Sequence, residues 1–362
     1  MAGAAERKDV RLDVVRCLMN YMVVLLHASA AFQYVQRSGF EFWAWTFVCS
    51  HLCWMSIPAF FLISGYLLFK GFEFAVWPKK MLGRVKRLAV PYVAWNILFV
   101  AFYLSAANVV PRLASRVESF GLRTIGGACS KIIGLTSAPI DGPLWFLRTL
   151  FFFALVSPVL WLLVRKIGAW TVLGLSVVWV ILESFLGLTD ALALVFPAYS
   201  IACLLLGCAL AVSQKSIFEV FRGKKWVAIS FAACVFRASI FMLGGSAWMM
   251  DHEWLRLVIP WLPIVEAPGL IALCSSLPLH RVLSHPVYRC FQTMGFFAYA
   301  GHFLFCSVFL HLMAPCFKDW TAGKLTVLVV VFVIGGIVAM AVAYGLLRRL
   351  LPRVLQIVDG RL

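Results

Sequence analysis

The residues best suited to chemistry in this chain lie in one apolar stretch, RCLMNYMVVLLH, from Arg16 to His27. Arginine and histidine are costly in hydrocarbon, where ionisable side chains face a bundle interior, a water-filled cavity or a substrate path. Helical geometry relates the two. Eleven residues at 100° each leave a net rotation of about 20° and a rise of about 16 Å, so Arg16 and His27 share a face. Asn20 and Asp13 fall within about 60° of Arg16 by the same arithmetic. The stretch therefore carries a polar stripe among valines and leucines, and such a stripe meets protein or water rather than lipid. Geometry alone leaves open whether it is a satisfied helix contact or the centre of a reaction. A histidine so placed has the chemistry of a general base or of a nucleophile.

Further polar residues interrupt later apolar segments. In KKMLGRVKRLAVPY, Arg84 and Arg87 stand at i and i+3 on one helical face. Their planar forks of donors suit phosphate groups, and the same cluster also serves to set membrane orientation. GPLWFLRTLFF places Arg148 where it either snorkels to the outer surface or faces inward as a binding group. FFAYAGHFLF puts Tyr299 three residues before His302. In AFFLISGYLLFKG, Ser64 and Gly65 make either a close helix contact or a local distortion. Glu183 and Glu266 are the carboxylates well inside apolar segments, each a functional candidate or a partner for Arg237 or Arg256. His51 reads as a structural histidine.

The elements that must position these groups are membrane helices. The chain has 362 residues, of which 63% are hydrophobic and only 13% charged, against roughly 25% charged in soluble domains. Apolar windows near the spanning length of about 20 residues fall at 12–34, 43–69, 88–110, 144–164, 168–187, 191–213, 226–244, 255–278, 291–314 and 324–347. The expectation is an all-α polytopic membrane protein, a bundle of about ten transmembrane helices. Lys and Arg favour one side of this arrangement by roughly three to one, which places both termini in the cytoplasm. The net charge of +17 comes from these short basic loops and does not indicate nucleic acid. The first apolar stretch has no small-residue cleavage site of a signal peptide. The longest non-spanning segment, about 111–143, falls on the outer face. The eleven cysteines lie mostly in apolar stretches without metal-ligand spacing, so neither a disulfide framework nor a metal site is expected.

In order and spacing, four segments resemble the acyltransferase-3 family of integral membrane acyltransferases: the Arg16-x10-His27 pair, FFLISGYL, RVKRLAVPY and PLWFLRTLFF. AYAGHFLF is similar to a late segment of that family. The resemblance covers essentially the whole chain, and implies a single transmembrane acyltransferase domain over residues 1–362 with no fused soluble domain. It implies acyl-CoA, above all acetyl-CoA, as a cytosolic co-substrate, with no tightly bound cofactor. It further implies a hydroxyl acceptor on an envelope or lipid-linked carbohydrate, in the manner of O-acetyltransferases of bacterial surface carbohydrates, and hence a multi-pass protein of the bacterial cell membrane. Without an esterase-like domain, transfer is completed in the bundle or with a separate extracytoplasmic partner. On this resemblance His27 is the catalytic residue and Arg16, Arg84 and Arg87 bind the coenzyme. Arg148, Tyr299 and His302 line the acceptor side. The competing reading is a transporter or flippase of a lipid-linked glycan, which buried charges and a polar stripe would also suit.

Overall fold

Helices make up all the regular structure of the described residues, which in this computed structural model are 9–29, 39–186, 197–252, 255, 258–313 and 322–361. Arg256 and the side chain of Glu183 lie outside them. Helix α1 (Val10–Ala28) begins at Asp9, whose carboxylate accepts from the Arg11 backbone N–H and supplies the N-cap. Residues 40–69 form one continuous rod. It runs from α2 (Phe40–Trp45) through a π-helical segment, Thr46–Leu52, and a 3-10 turn, Cys53–Met55, into α3 (Ser56–Phe69). A second π-helical segment, Val85–Ala89, joins α4 (Trp77–Arg84) to α5 (Val90–Ala106).

The expected outer segment folds as two short helices, α6 (Pro111–Ser119) and α7 (Ile125–Ile133). A 3-10 turn, Gly142–Leu144, then opens α8 (Trp145–Ile167). The remaining helices are α9 (Ala169–Leu186), α10 (Ala198–Val212), α11 (Ile217–Val220), α12 (Lys224–Asp251) and α13 (Leu262–Ser275). After them come α14 (Leu279–Ser284), α15 (Pro286–Met313), α16 (Ala322–Leu350) and α17 (Pro352–Val358).

Among the described residues, five helical stretches are long and apolar enough to cross a bilayer: 40–69, 77–106, 142–167, 224–242 and 326–350. Shorter apolar helices cover 169–179, 199–212 and 262–275. Helix α1, at 19 residues, is not among these five and carries three charged residues, Arg11, Asp13 and Arg16. Helix α16 presents Val327, Val331, Ile334, Val338 and Val342 outward, each more than half exposed and spaced by three or four residues. That continuous apolar stripe suits lipid. The chain is a multi-pass membrane protein.

Two devices hold the bundle together. Helices α3 and α10 touch backbone to backbone: a Cβ on Gly65 would overlap the Leu204 carbonyl, and one on Gly207 would overlap the Leu62 carbonyl. The Ser64-Gly65 pair of the sequence is thus the close helix contact, made possible because glycine has no side chain. The second device is a buried ion pair between α12 and α13. Arg237 Nε lies 2.7 Å from Glu266 Oε1 and its Nη2 lies 3.1 Å from Oε2. Nη2 also donates to the His51 carbonyl at 2.8 Å, and Nη1 meets His51 Nδ1 at 3.3 Å. A π-turn displaces carbonyls from the ordinary helical ladder, and here the arginine serves one of them. Glu266 therefore has Arg237 as its partner, and His51 belongs to the same cluster. The largest apolar core surrounds Phe61, Phe99, Leu144 and Leu204, uniting α3, α5, α8 and α10.

Candidate active site

Helix α1 carries its polar stripe between two places. At the N-terminal end, Arg16 lines a cavity of about 310 Å³ together with Arg84 and Arg87. Arg84 closes α4 and Arg87 lies on the π-segment behind it. The three arginines come from sequence positions far apart, and each carries a fixed positive charge. Ser64 of α3 adds a hydroxyl, while Leu68, Leu150 and Phe153 give the cavity apolar walls. An anionic group with a slender apolar extension matches such a lining.

Toward its C-terminal end the stripe meets α15. Tyr21 donates from its hydroxyl to the Phe291 carbonyl at 3.0 Å and its ring stands 4.6 Å from that of Phe291. Gly295 leaves room for Asn20, whose Nδ2 would lie 3.1 Å from a Cβ there. His27 then faces His302 and Phe303, at ring-centroid separations of 5.1 and 5.3 Å. The stripe thus opens on the cavity at Arg16, packs on α15 at Asn20 and ends in a histidine pair. Phe303 stacks on Phe99 at 6.3 Å and covers Gly142.

The backbone around His302 fixes its tautomer. Its Nδ1 lies 2.6 Å from the Tyr299 carbonyl, which only accepts, so Nδ1 carries the proton. Nε2 is buried and has no hydrogen-bond partner. Tyr299 donates from its hydroxyl to the Pro143 carbonyl at 2.7 Å, tying α15 to the turn ahead of α8. One residue before that turn, Asp141 is fully buried and neither carboxyl oxygen has a hydrogen-bond partner. Burial holds this carboxyl well above the ordinary carboxylate range. Its backbone N–H donates to Asn96 Oδ1 at 3.0 Å, and Asn96 in turn donates to the Tyr92 carbonyl at 2.8 Å.

Arg148 faces inward. It is buried and donates to the carbonyl of Gly134, the left-handed C-cap of α7. Tyr92 donates to the neighbouring Ile133 carbonyl at 2.8 Å. The two side chains clamp the C-terminal end of α7 onto the bundle. A Cβ on Gly134 would meet the Tyr92 hydroxyl at 2.6 Å, so only glycine fits this corner.

The structure gathers Arg16, Arg84 and Arg87 in one cavity and His27, His302 and Tyr299 at another place, with Arg148, in the first turn of α8, holding the Gly134 end of α7. Sequence reasoning missed Asp141 and Asn96. Asp141 offered a signal, being a carboxylate directly ahead of a Gly-Pro turn that opens a long apolar helix. Asn96 offered none beyond being an amide within a span.

The described residues thus form a helical membrane bundle that sets His27 against the buried His302 and gathers three arginines around one cavity. The chain belongs to the acyltransferase-3 family: the family's acyltransferase-domain model matches residues 9–348. The succinoglycan biosynthesis protein ExoH of Rhizobium meliloti (strain 1021) is 27% identical over 178 residues, 46% of this chain and 46% of the relative. The match thus spans less than half the length of that curated relative. No solved structure matches the chain.

Proposed function

We propose that the chain is a cell-membrane O-acyltransferase carrying an acyl group, acetyl above all, from cytosolic acyl-CoA to a hydroxyl of an envelope or lipid-linked carbohydrate. About ten helices span the membrane with both termini in the cytoplasm, and residues 1–362 act as one transmembrane domain. The observation that carries this reading is the meeting of Arg16, Arg84 and Arg87 in one cavity at the basic end of α1. Phosphates of the coenzyme suit the three guanidinium groups, and the apolar walls suit its arm. His27, on the same helix face about 16 Å further along, receives the acyl group. Tyr299, His302 and the outer segment clamped by Arg148 border the acceptor. Succinoglycan is a carbohydrate, so the partial likeness to ExoH supports a glycan acceptor. Family membership supports group transfer over transport of a lipid-linked glycan.

The test uses membranes supplied with labelled acetyl-CoA and their own glycans. His27→Ala abolishes labelling of the glycan while the protein remains inserted and folded. Arg16→Gln, Arg84→Gln and Arg87→Gln each raise the acetyl-CoA concentration needed by about tenfold, the size of one charge-assisted hydrogen bond. Normal transfer by His27→Ala removes that residue from the chemistry, and unchanged coenzyme dependence in all three arginine variants removes the cavity.

A further inference from the structure

We propose that Asp141 and His302 form a subsite for the acceptor's hydroxyl groups, in which His302 Nε2 takes the proton of the attacking hydroxyl. The proposal rests on the reading of His27 as the residue that receives the acyl group. Its first support is the tautomer: with Nδ1–H committed to the Tyr299 carbonyl, Nε2 keeps its lone pair and meets no donor within the protein. The second is position, since the His302 ring stands 5.1 Å from that of His27. An acyl group on His27 and a base on His302 would then sit on neighbouring rings.

The third support is Asp141, buried with both carboxyl oxygens unpartnered on the other side of the same junction. The Tyr299–Pro143 hydrogen bond and the packing of Phe303 on Gly142 hold the 141–143 turn against the 299–303 turn of α15. Buried polar groups are paired in roughly nine cases out of ten. Two orphans from separate elements at one junction, beside a histidine pair, match a ligand that brings its own hydroxyls. A sugar presents neighbouring hydroxyls, one for His302 and one for Asp141. Asp141 is a positioning residue in this scheme, and His302 handles the proton.

The steps balance as follows. A His27 nitrogen attacks the thioester carbon, and the C–S bond breaks with its electron pair on sulfur. The thiolate leaves and takes a proton from water on the donor side. The acceptor O–H then gives its proton to His302 Nε2 while its oxygen forms the ester bond. The C–N bond to His27 breaks, its pair returns to the imidazole, and His302 releases the proton to water on the acceptor side.

Two readouts in the same membranes separate the steps. Exchange of labelled free CoA into acetyl-CoA, without added acceptor, reports the first. Transfer of labelled acetyl to the membrane glycans reports both. His302→Gln keeps exchange within about twofold of wild type and loses transfer by about a hundredfold or more, the size of a general-base contribution. Added imidazole restores part of the transfer in His302→Ala, an effect that a purely structural role would not show. Asp141→Asn keeps exchange and raises the glycan concentration needed for transfer. Wild-type transfer in His302→Gln overturns the proposal. So does joint loss of exchange and transfer without imidazole rescue, or wild-type transfer without exchange. Wild-type membranes that show neither activity refute instead the acyl-CoA reading on which it rests.

Discussion

The Arg237–Glu266 pair joins α12 to α13 and also holds the π-segment of the 40–69 rod, so its removal tests how the bundle is braced. Both side chains are buried, at 7% and 0% exposure. Replacing either by methionine keeps most of the volume but strands the other charge, at a cost of about 3–5 kcal/mol. Arg237→Met also removes the donor to the His51 carbonyl, which adds about 1–3 kcal/mol. The double variant strands no charge and leaves only that carbonyl unserved, so it loses about 1–3 kcal/mol. It is therefore more stable than Arg237→Met and far more stable than the sum of the singles. Equilibrium unfolding in mixed micelles with a rising fraction of denaturing detergent measures all three. If the double variant falls by the sum of the single losses, to within about 0.5 kcal/mol, the two residues do not act as a pair and the reasoning fails.

Two further outcomes follow from packing and charge. Gly65→Ala forces α3 off the Leu204 carbonyl and costs about 1–3 kcal/mol, whereas Gly83→Ala, a helical position with nothing within 4 Å of its added carbon, stabilises by about 0.5 kcal/mol; thermal unfolding of the two side by side checks this. The pH response has opposite signs at the two ends of the chain. The Arg11 side chain beside Asp9 holds that carboxyl below its ordinary range, so its stabilising pair is intact above that range and is lost as pH falls through the depressed value. Burial outweighs the Arg361 contact at Asp359 and pushes its carboxyl up to about 6, so stability declines as pH rises from the ordinary carboxylate value to about 6. Asp359→Asn removes that decline from a series of unfolding midpoints, and an unchanged slope would contradict the assignment.

Much of the architecture was written in apolar length and in the spacing of a few ionisable residues. The Arg16–His27 stripe is visible because a regular α-helix keeps one angular step, and residues 10–28 form one unbroken α-helix. Glu266 declared a partner because a carboxylate in hydrocarbon demands one. The π-segments at Thr46–Leu52 and Val85–Ala89 left no mark, since an i+5 ladder uses the same apolar residues as an α-helix. Their effect is substantial: Arg84 and Arg87 were related by an α-helical step, yet a change of helix type falls between them. Asp141 was hidden for another reason. Its burial depends on Asn96, the 142–144 turn and α15 arriving together, and no local pattern encodes that meeting.

Arg16 and His27 stand on one unbroken helix, and this sets a gauge. On the proposed reading, a donor whose charged end rests at Arg16 reaches His27 only if its arm spans that fixed interval, so that reading makes arm length a condition for transfer. Deleting a full turn of α1 between the two residues would draw them about 5 Å closer at the expense of the Asn20 and Tyr21 contacts with α15.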